Sequence, residues 1–332
     1  MEDSYKVSIC IPIYNAGLYL ERCVRSLFEQ TYENLEYLFV DDCSSDNSIN
    51  LLNNVIDEYP SRKDAVKIIR HETNKGVCTA RNTLLTSLSG DFFTFVDADD
   101  YIPHTAVELL VSKQMETNAD LVSGDILIES KDDNAYLEEP SYESAYEMLK
   151  YIVSQQGHHE NWGRLYRSDT IRKNNLFYTP GINIGEDWLF LVKYVLHTSK
   201  IASIHQVVYY YNKQNTQSVM HDLMSSENLQ KWYLADLIVL SEIKNIVSNS
   251  VQMDFSSHEE TVLKIGDDGL REAASNSDKK TFCSIKKIVL PYLKSRTNTD
   301  VGKYNRYSIC GIPNYYLCML YERAIRIKYR IT

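Results

Sequence analysis

Gly90–Pro103 reads GDFFTFVDADDYIP, and the rest of the chain is arranged around this stretch. Phe92, Phe93, Phe95 and Val96 make an apolar run of the length of a buried strand, and it stops abruptly at Asp97, Asp99 and Asp100 before Pro103. A core strand therefore delivers carboxylates to a sheet edge. In open α/β sheets ligands bind in the crevice beyond the carboxyl ends of the strands. Asp97-x-Asp99 suits a hard divalent cation, Mn²⁺ or Mg²⁺, which takes one or two protein carboxylates and lets a phosphorylated substrate supply other oxygens. Read alone, the same residues also fit a solvated acidic turn.

Upstream, VSICIPI (Val7 to Ile13) is a β-rich run broken by Pro12, with a turn at Tyr14, Asn15 and Gly17. Leu20, Cys23, Val24, Leu27 and Phe28 then recur at helical spacing. Leu35 to Val40 is a second strand that also ends in acids, Asp41 and Asp42, before a helical stretch from Asn47 to Tyr59. A short strand over Val66 to Arg70 and a helix over Gly76 to Leu88, carrying Arg81 and Asn82, complete the half. Strands separated by helices of this length predict right-handed crossovers, hence an α/β fold: an αβα sandwich with a mainly parallel central sheet. Pro12, Asp42 and Asp99 then lie along one edge. Asp42 alone fits a helix cap as well as a base or ribose contact. Neither GxGxxG nor GxxxxGK follows the first strand, so a bound nucleotide would need its diphosphate neutralised by a metal.

Composition narrows the class. The 332 residues are 44% hydrophobic and contain no apolar run of 18 or more, so no membrane-spanning helix is expected. The start, MEDSYKVSIC, lacks the features of a secretory signal, which predicts a cytoplasmic protein. Seven Cys with no CxxC pair predict reduced core thiols rather than a zinc site or disulfides. A formal charge of −10 argues against nucleic acid as a partner. The 25 Tyr supply flat apolar area with a polar tip, a side chain favoured at ligand surfaces.

Downstream, Asp120 to Glu129 alternates like a strand, Lys131 to Glu139 is a charged loop, and Tyr142 to Val153 reads as a helix. His158 and His159 are adjacent and face apart on a strand or helix, which disfavours metal ligation by the pair. Trp162 fits either an acceptor platform or the core. Glu186 and Asp187 precede an apolar helix, where acids are favoured simply as N-terminal residues. Val207 to Asn212 reads as a late strand, followed by a loop through Gln217–Val219 to His221. From Ser226 the apolar spacing is helical to near the end, over Asn228 to Val247, Thr261 to Ala274 and Ser284 to Leu293. The last stretch sets Tyr315, Tyr316 and Tyr321 beside Arg323, Arg326, Lys328 and Arg330. This pattern fits a peripheral membrane contact with anionic lipid, or an ordinary helix with a basic end.

Three segments together, VSICIPIYNAGLYLERCVRSLFEQTYENLEYLFVDDCSSDNS, NKGVCTARN and GDFFTFVDADDYIP, resemble the family 2 glycosyltransferases of the glycosyltransferase A fold, of bacterial polysaccharide-biosynthesis type. A weaker stretch, Asn161 to Phe190, resembles the acceptor half. The resemblance implies a catalytic domain over 1–222, with a nucleotide-binding half over 1–110 and an acceptor half over 111–222, and a helical region over 223–332. It implies an inverting, metal-dependent hexosyltransferase that uses a nucleoside-diphosphate sugar, UDP-linked for preference, and a glycan or lipid-linked glycan acceptor. Pro12 and Tyr14 would pack around the nucleotide, Asp42 would bond the base, and Arg81 would reach the nucleotide. Asp97 would face the ribose or sugar, and Asp99, with His221, the metal and diphosphate. Trp162 and Glu186 would meet the acceptor, and Asp187 would be the general base. A noncatalytic sugar-binding scaffold of the same fold is the competing expectation.

Overall fold

The computed structural model describes residues 5–131, 133–154, 159–182, 184–215, 229–295 and Tyr315. The chain divides into two compact units, one of Met1–Ile152 with Gln156–Thr216, the other of Gln217–Thr332 with Val153–Gln155.

The first unit is built on a sheet of β1 (Val7–Ile13), β2 (Leu35–Asp41), β3 (Val66–Arg70), β4 (Phe92–Phe95), β5 (Leu121–Glu129), β6 (Ala135–Leu137), β7 (Arg164–Arg167) and β8 (Ile201–Asn212). Its order is β3-β2-β1-β4-β7-β5-β6, with β8 beside β5. β1, β2, β3 and β4 pair in parallel. β7 inserts antiparallel between β4 and β5, while β5 and β8 are parallel. The expected, mainly parallel sheet is present, with β6 and β7 as its antiparallel members.

Helices α1 (Leu20–Phe28), α2 (Ser48–Glu58), α3 (Val77–Ser87), α4 (Ala106–Thr117), α5 (Ala145–Val153), α6 (Ser168–Asn174) and α7 (Glu186–Leu196) connect the strands. Every residue of β2 and β4 is buried, as continuous apolar runs in a sheet covered on both faces require. β2 and β3 are laid down on one side of β1 and β4 on the other, so the crevice at the carboxyl ends of β1 and β4 is the topological switch point of the sheet.

A polar knot closes the opposite edge. The Glu36 carboxylate, 9% exposed, accepts from the Ser8 hydroxyl, from the backbone N–H of Ser89 (2.8 Å) and Gly90 (3.1 Å), and pairs with Lys6 (3.1 Å). A Cβ at Gly90 would fall 2.6 Å from Ser8 Oγ and 2.8 Å from Lys6 O, so only glycine permits this approach. Burial works to raise the Glu36 pKa, but hydrogen bonds from Ser8, Ser89 and Lys6 outweigh it and bring it down to about 2 from an ordinary 4.5. The contribution of Glu36 to stability is therefore complete above about pH 4.5 and is lost as pH falls towards 2. Glu36→Gln is expected to cost about 1–3 kcal/mol at pH 7 and to flatten the acid dependence over that window. Urea unfolding as a function of pH measures both.

The second unit contains α8 (Leu229–Ser250), α9 (Ser256–Ser275) and α10 (Lys279–Ser295), packed on one another through Leu237, Leu240, Ile243, Leu263, Leu270, Phe282 and Ile285. No helix among the described residues is long and apolar enough to cross a membrane. Cys10, Cys23 and Cys78 are buried free thiols. The loop at Gln217–Val219, His158, His221 and the stretch from Tyr316 to Arg330 lie outside the described residues.

Candidate active site

Three Asp residues leave the end of β4, and the fold sends each somewhere different. Asp100 turns inward, 1% exposed, and accepts from Tyr209 Oη (2.7 Å) and the Asn212 N–H (2.7 Å). Tyr209 Oη also accepts from the Asp97 N–H (3.1 Å), so β8 holds the turn from behind. Asp97 Oδ1 accepts from Arg81 Nη2 (3.1 Å), and Asp99 Oδ2 accepts from Asn215 Nδ2 (2.8 Å). Burial, reinforced by the neighbouring Asp97 charge, raises the pKa of Asp99.

Arg81 is the hub of the site. It projects from α3, its side chain is 5% exposed, and it lies over Phe95 (5.9 Å) and Tyr178 (5.4 Å). Nη2 meets Asp97 at 3.1 Å; Nη1 meets Glu186 at 3.1 Å and also Asp187. A strand-end acid from the first half of the chain is thereby joined to two acids opening α7 in the second half. Gly185 has φ of 70°, a left-handed entry that glycine adopts freely and that starts α7 with Glu186 and Asp187 facing Arg81.

Both donors to Asp187 among the described residues act on one oxygen. Arg81 Nη1 and Asn161 Nδ2 (3.0 Å) each bond Oδ1, and Oδ2 takes no hydrogen bond among the described residues. Burial pushes Asp187 well above the ordinary carboxylate range against the opposing pull of Arg81, with Glu186, Asp97 and Glu160 adding to the rise. A carboxyl group raised in this way, with one open oxygen, is suited to taking up a proton.

The other expected residues fall around this centre. Pro12 is half-buried at the end of β1, and Tyr14 beyond it is 53% exposed. Asp42 is 3% exposed, and its carboxylate accepts from the N–H of Lys75 (2.9 Å) and Gly76 (2.7 Å) and meets His71 Nδ1 at 2.6 Å. Here it anchors the loop that launches α3, so its structural duty is to set where Arg81 stands. Trp162 departs from the expectation of an acceptor platform: it is 5% exposed and lies parallel to Tyr209 (4.6 Å, 7°) and Tyr211 (5.4 Å, 18°) in the wall behind Asp100. The flat apolar ring gains more from these stacks than from solvent.

Sequence reading missed Asn161, Asn215, Tyr178 and Tyr209 as partners of the acids. Asn161 was visible only as the first residue of NWGRLYR, and Asn215 only as a polar residue after a strand. The Arg81 contact to the acceptor half spans more than 100 positions of sequence, and no local pattern reports it.

The charge balance bears on a metal. Asp97 Oδ2 and Asp99 Oδ1 accept no hydrogen bond from another described residue, and burial, with the Asp97 charge second, raises Asp99. Among the described residues no group of three or more His, Cys, Asp or Glu could enclose an ion. The pair fits a divalent cation that draws most of its oxygens from substrate and water.

Comparison with known proteins gives the family and the fold. Over 241 residues the chain is 27% identical to the uncharacterized glycosyltransferase EpsJ of Bacillus subtilis (strain 168), covering 70% of this chain and 68% of that one. It is 29% identical to the glycosyltransferase GlyA of Streptococcus pneumoniae over 262 residues, 74% of this chain but 35% of that protein, so it spans about a third of that relative. The crystal structure of S. aureus TarS 1-349 in complex with UDP-GlcNAc matches with a TM-score of 0.68 at 19% identity, covering 98% of this chain and 91% of that one. This likeness shows the shared glycosyltransferase A architecture. The sequence model described as glycosyl transferase family 2 matches residues 8–197, more than half of the chain, and the protein belongs to that family: it is a glycosyltransferase.

Proposed function

We propose that this enzyme transfers a sugar from a nucleoside-diphosphate sugar, with UDP as the nucleotide, to a hydroxyl of a glycan or lipid-linked glycan, inverting the anomeric carbon and using Asp187 as general base. The observation that carries this reading is the Arg81 cluster, which holds donor-side Asp97 and acceptor-side Asp187 in one site. TarS, which shares the fold, is crystallised with UDP-GlcNAc, and this supports UDP as the nucleotide.

The acceptor oxygen attacks the anomeric carbon as its proton passes to Asp187 Oδ2. The bond from that carbon to the diphosphate breaks, and its electron pair leaves with the diphosphate. One base and in-line attack give inversion, and no second carboxylate is needed as a nucleophile. Asp99 with Asp97 would hold a divalent cation, which when bound neutralises the charge developing on the leaving diphosphate. Tyr14, exposed beyond the end of β1, would cover the base. Glu186 shares Arg81 with Asp187 and sits on the acceptor side.

Thermal unfolding tests the donor half without any acceptor. UDP with Mn²⁺ is expected to stabilise the enzyme by about 2.7 kcal/mol at a hundredfold excess over Kd. The gain should vanish with EDTA or in Asp99→Asn. No shift with any nucleoside diphosphate would favour a noncatalytic scaffold instead.

A further inference from the structure

We propose that Asn161 is the positioning residue of the base: its amide fixes the Asp187 carboxylate so that Oδ2, and not Oδ1, faces the incoming hydroxyl. This rests on the reading of Asp187 as general base.

Asn161 is fully buried, and both polar atoms of its side chain are engaged. Nδ2 donates to Tyr178 Oη (2.6 Å) and to Asp187 Oδ1 (3.0 Å). The Tyr166 hydroxyl donates towards the Asn161 backbone carbonyl (3.0 Å) and its side-chain Oδ1 (3.3 Å). An ionised carboxylate can only accept, so the amide must turn its N–H groups towards Asp187 and its carbonyl towards Tyr166. Reversing the amide would set oxygen against oxygen at Asp187. The orientation is chemically determined.

The groups that hold Asn161 are themselves held. Tyr178 stacks on Phe190 (4.3 Å, 5°), and Phe190 lies on α7, the helix that begins with Glu186 and Asp187. Tyr166 stacks on Phe93 of β4 (5.0 Å) and meets Tyr194 of α7 edge-on (4.9 Å). The Tyr178 backbone exchanges two hydrogen bonds, 2.8 and 3.0 Å, with the side chain of Asn82, the residue after Arg81. Amide, carboxylate and guanidinium are thus tied to one aromatic block.

Arg81 cannot do this work alone. Its Nη1 is divided between Asp187 and Glu186, and its Nη2 is engaged by Asp97. It supplies charge to several acids, whereas Asn161 gives its second N–H to a single oxygen and so sets a direction. The charged groups facing Asp187 are Arg81 from α3, Glu186 from α7, Asp97 from the end of β4, and Glu160 beside Asn161. A neutral donor among them orients the carboxylate without adding charge.

The test follows the slow consumption of a UDP-sugar by water in the full-length chain with Mn²⁺, for wild type, Asn161→Ala, Asn161→Asp and Asp187→Asn. Asn161→Ala is expected to lower kcat about 10- to 100-fold with the donor KM within about 2-fold, because the base is misdirected while the donor contacts remain. The rising limb of kcat/KM against pH should move to higher pH, since the charged form of Asp187 loses a hydrogen bond. Asn161→Asp is nearly isosteric, so it retains packing even if the Ala variant fails to fold; its added negative charge should move the limb further the same way. Wild-type kcat and limb in the Asn161 variants, with Asp187→Asn inactive, would overturn this inference alone. So would a loss of kcat matched by a loss of donor affinity with the limb unmoved, which is the mark of a packing role. A wild-type rate in Asp187→Asn would instead overturn the reading of the base.

Discussion

Arg81→Met is expected to lose about 3–5 kcal/mol of stability and all measurable sugar transfer. The side chain is 5% exposed and is the shared partner of three carboxylates, so its removal leaves buried negative charge without a partner, the costly way to break a buried pair. The damage should depend on pH. Asp187 is already raised by burial against the pull of Arg81. Without that pull it rises further, the folded state binds a proton that the unfolded state releases, and stability falls as pH increases from about 5 to 8. Urea unfolding of the variant at those two pH values should show a larger deficit at the higher one. A deficit independent of pH would mean that Arg81 acts through packing on Phe95 and Tyr178. Arg81→Lys keeps the charge but cannot span Asp97 on one side and Glu186 with Asp187 on the other, so it should recover part of the stability and little of the activity.

Asp187→Asn is expected to lower kcat by about 10²- to 10⁴-fold, the usual contribution of a positioned general base. Donor binding should survive, because Asp97 and Asp99 are untouched and an amide of the same shape can still accept from Arg81. Titration calorimetry with UDP and Mn²⁺ measures the first half of this statement, and donor consumption the second. Loss of both together would move Asp187 to the donor side of the site.

Much of this arrangement is legible in the sequence because it depends on local pattern. The runs VSICIPI, LEYLFV and FFTFV are buried strands whose parallel register brings their carboxyl ends, where Pro12, Asp42 and Asp99 are expected, to one edge. β7 is less visible: RLYR is four residues long with Arg at both ends, and only its neighbours on each side make it a strand. β6 is three residues inside a charged loop. The late strand begins at Ile201 rather than Val207, because residues 201–206 are only partly buried and show no apolar run.

The site divides along the same line. The acids are legible as residues, since strand ends and a helix start mark them. Their duties are not, because these depend on partners far away in sequence. Asp42 reads as a cap or as a base contact, and no local pattern reports that it holds the distant Lys75 and Gly76 N–H groups. Trp162 reads equally as a platform or as core until Tyr209 and Tyr211 are seen to cover it. Arg81 reads as a nucleotide contact, and its place among Asp97, Glu186 and Asp187 emerges only when α3 and α7 pack across the crevice.

The account stands on a single base working opposite a departing diphosphate. The anomer first released when water consumes a UDP-α-sugar reads this out directly, by proton NMR at high enzyme concentration before mutarotation. The β anomer should appear first in wild type, and Asp187→Asn should release it at a rate lower by the factor above. The α anomer appearing first would contradict the account, because retention by double displacement requires a nucleophilic carboxylate in addition to the base.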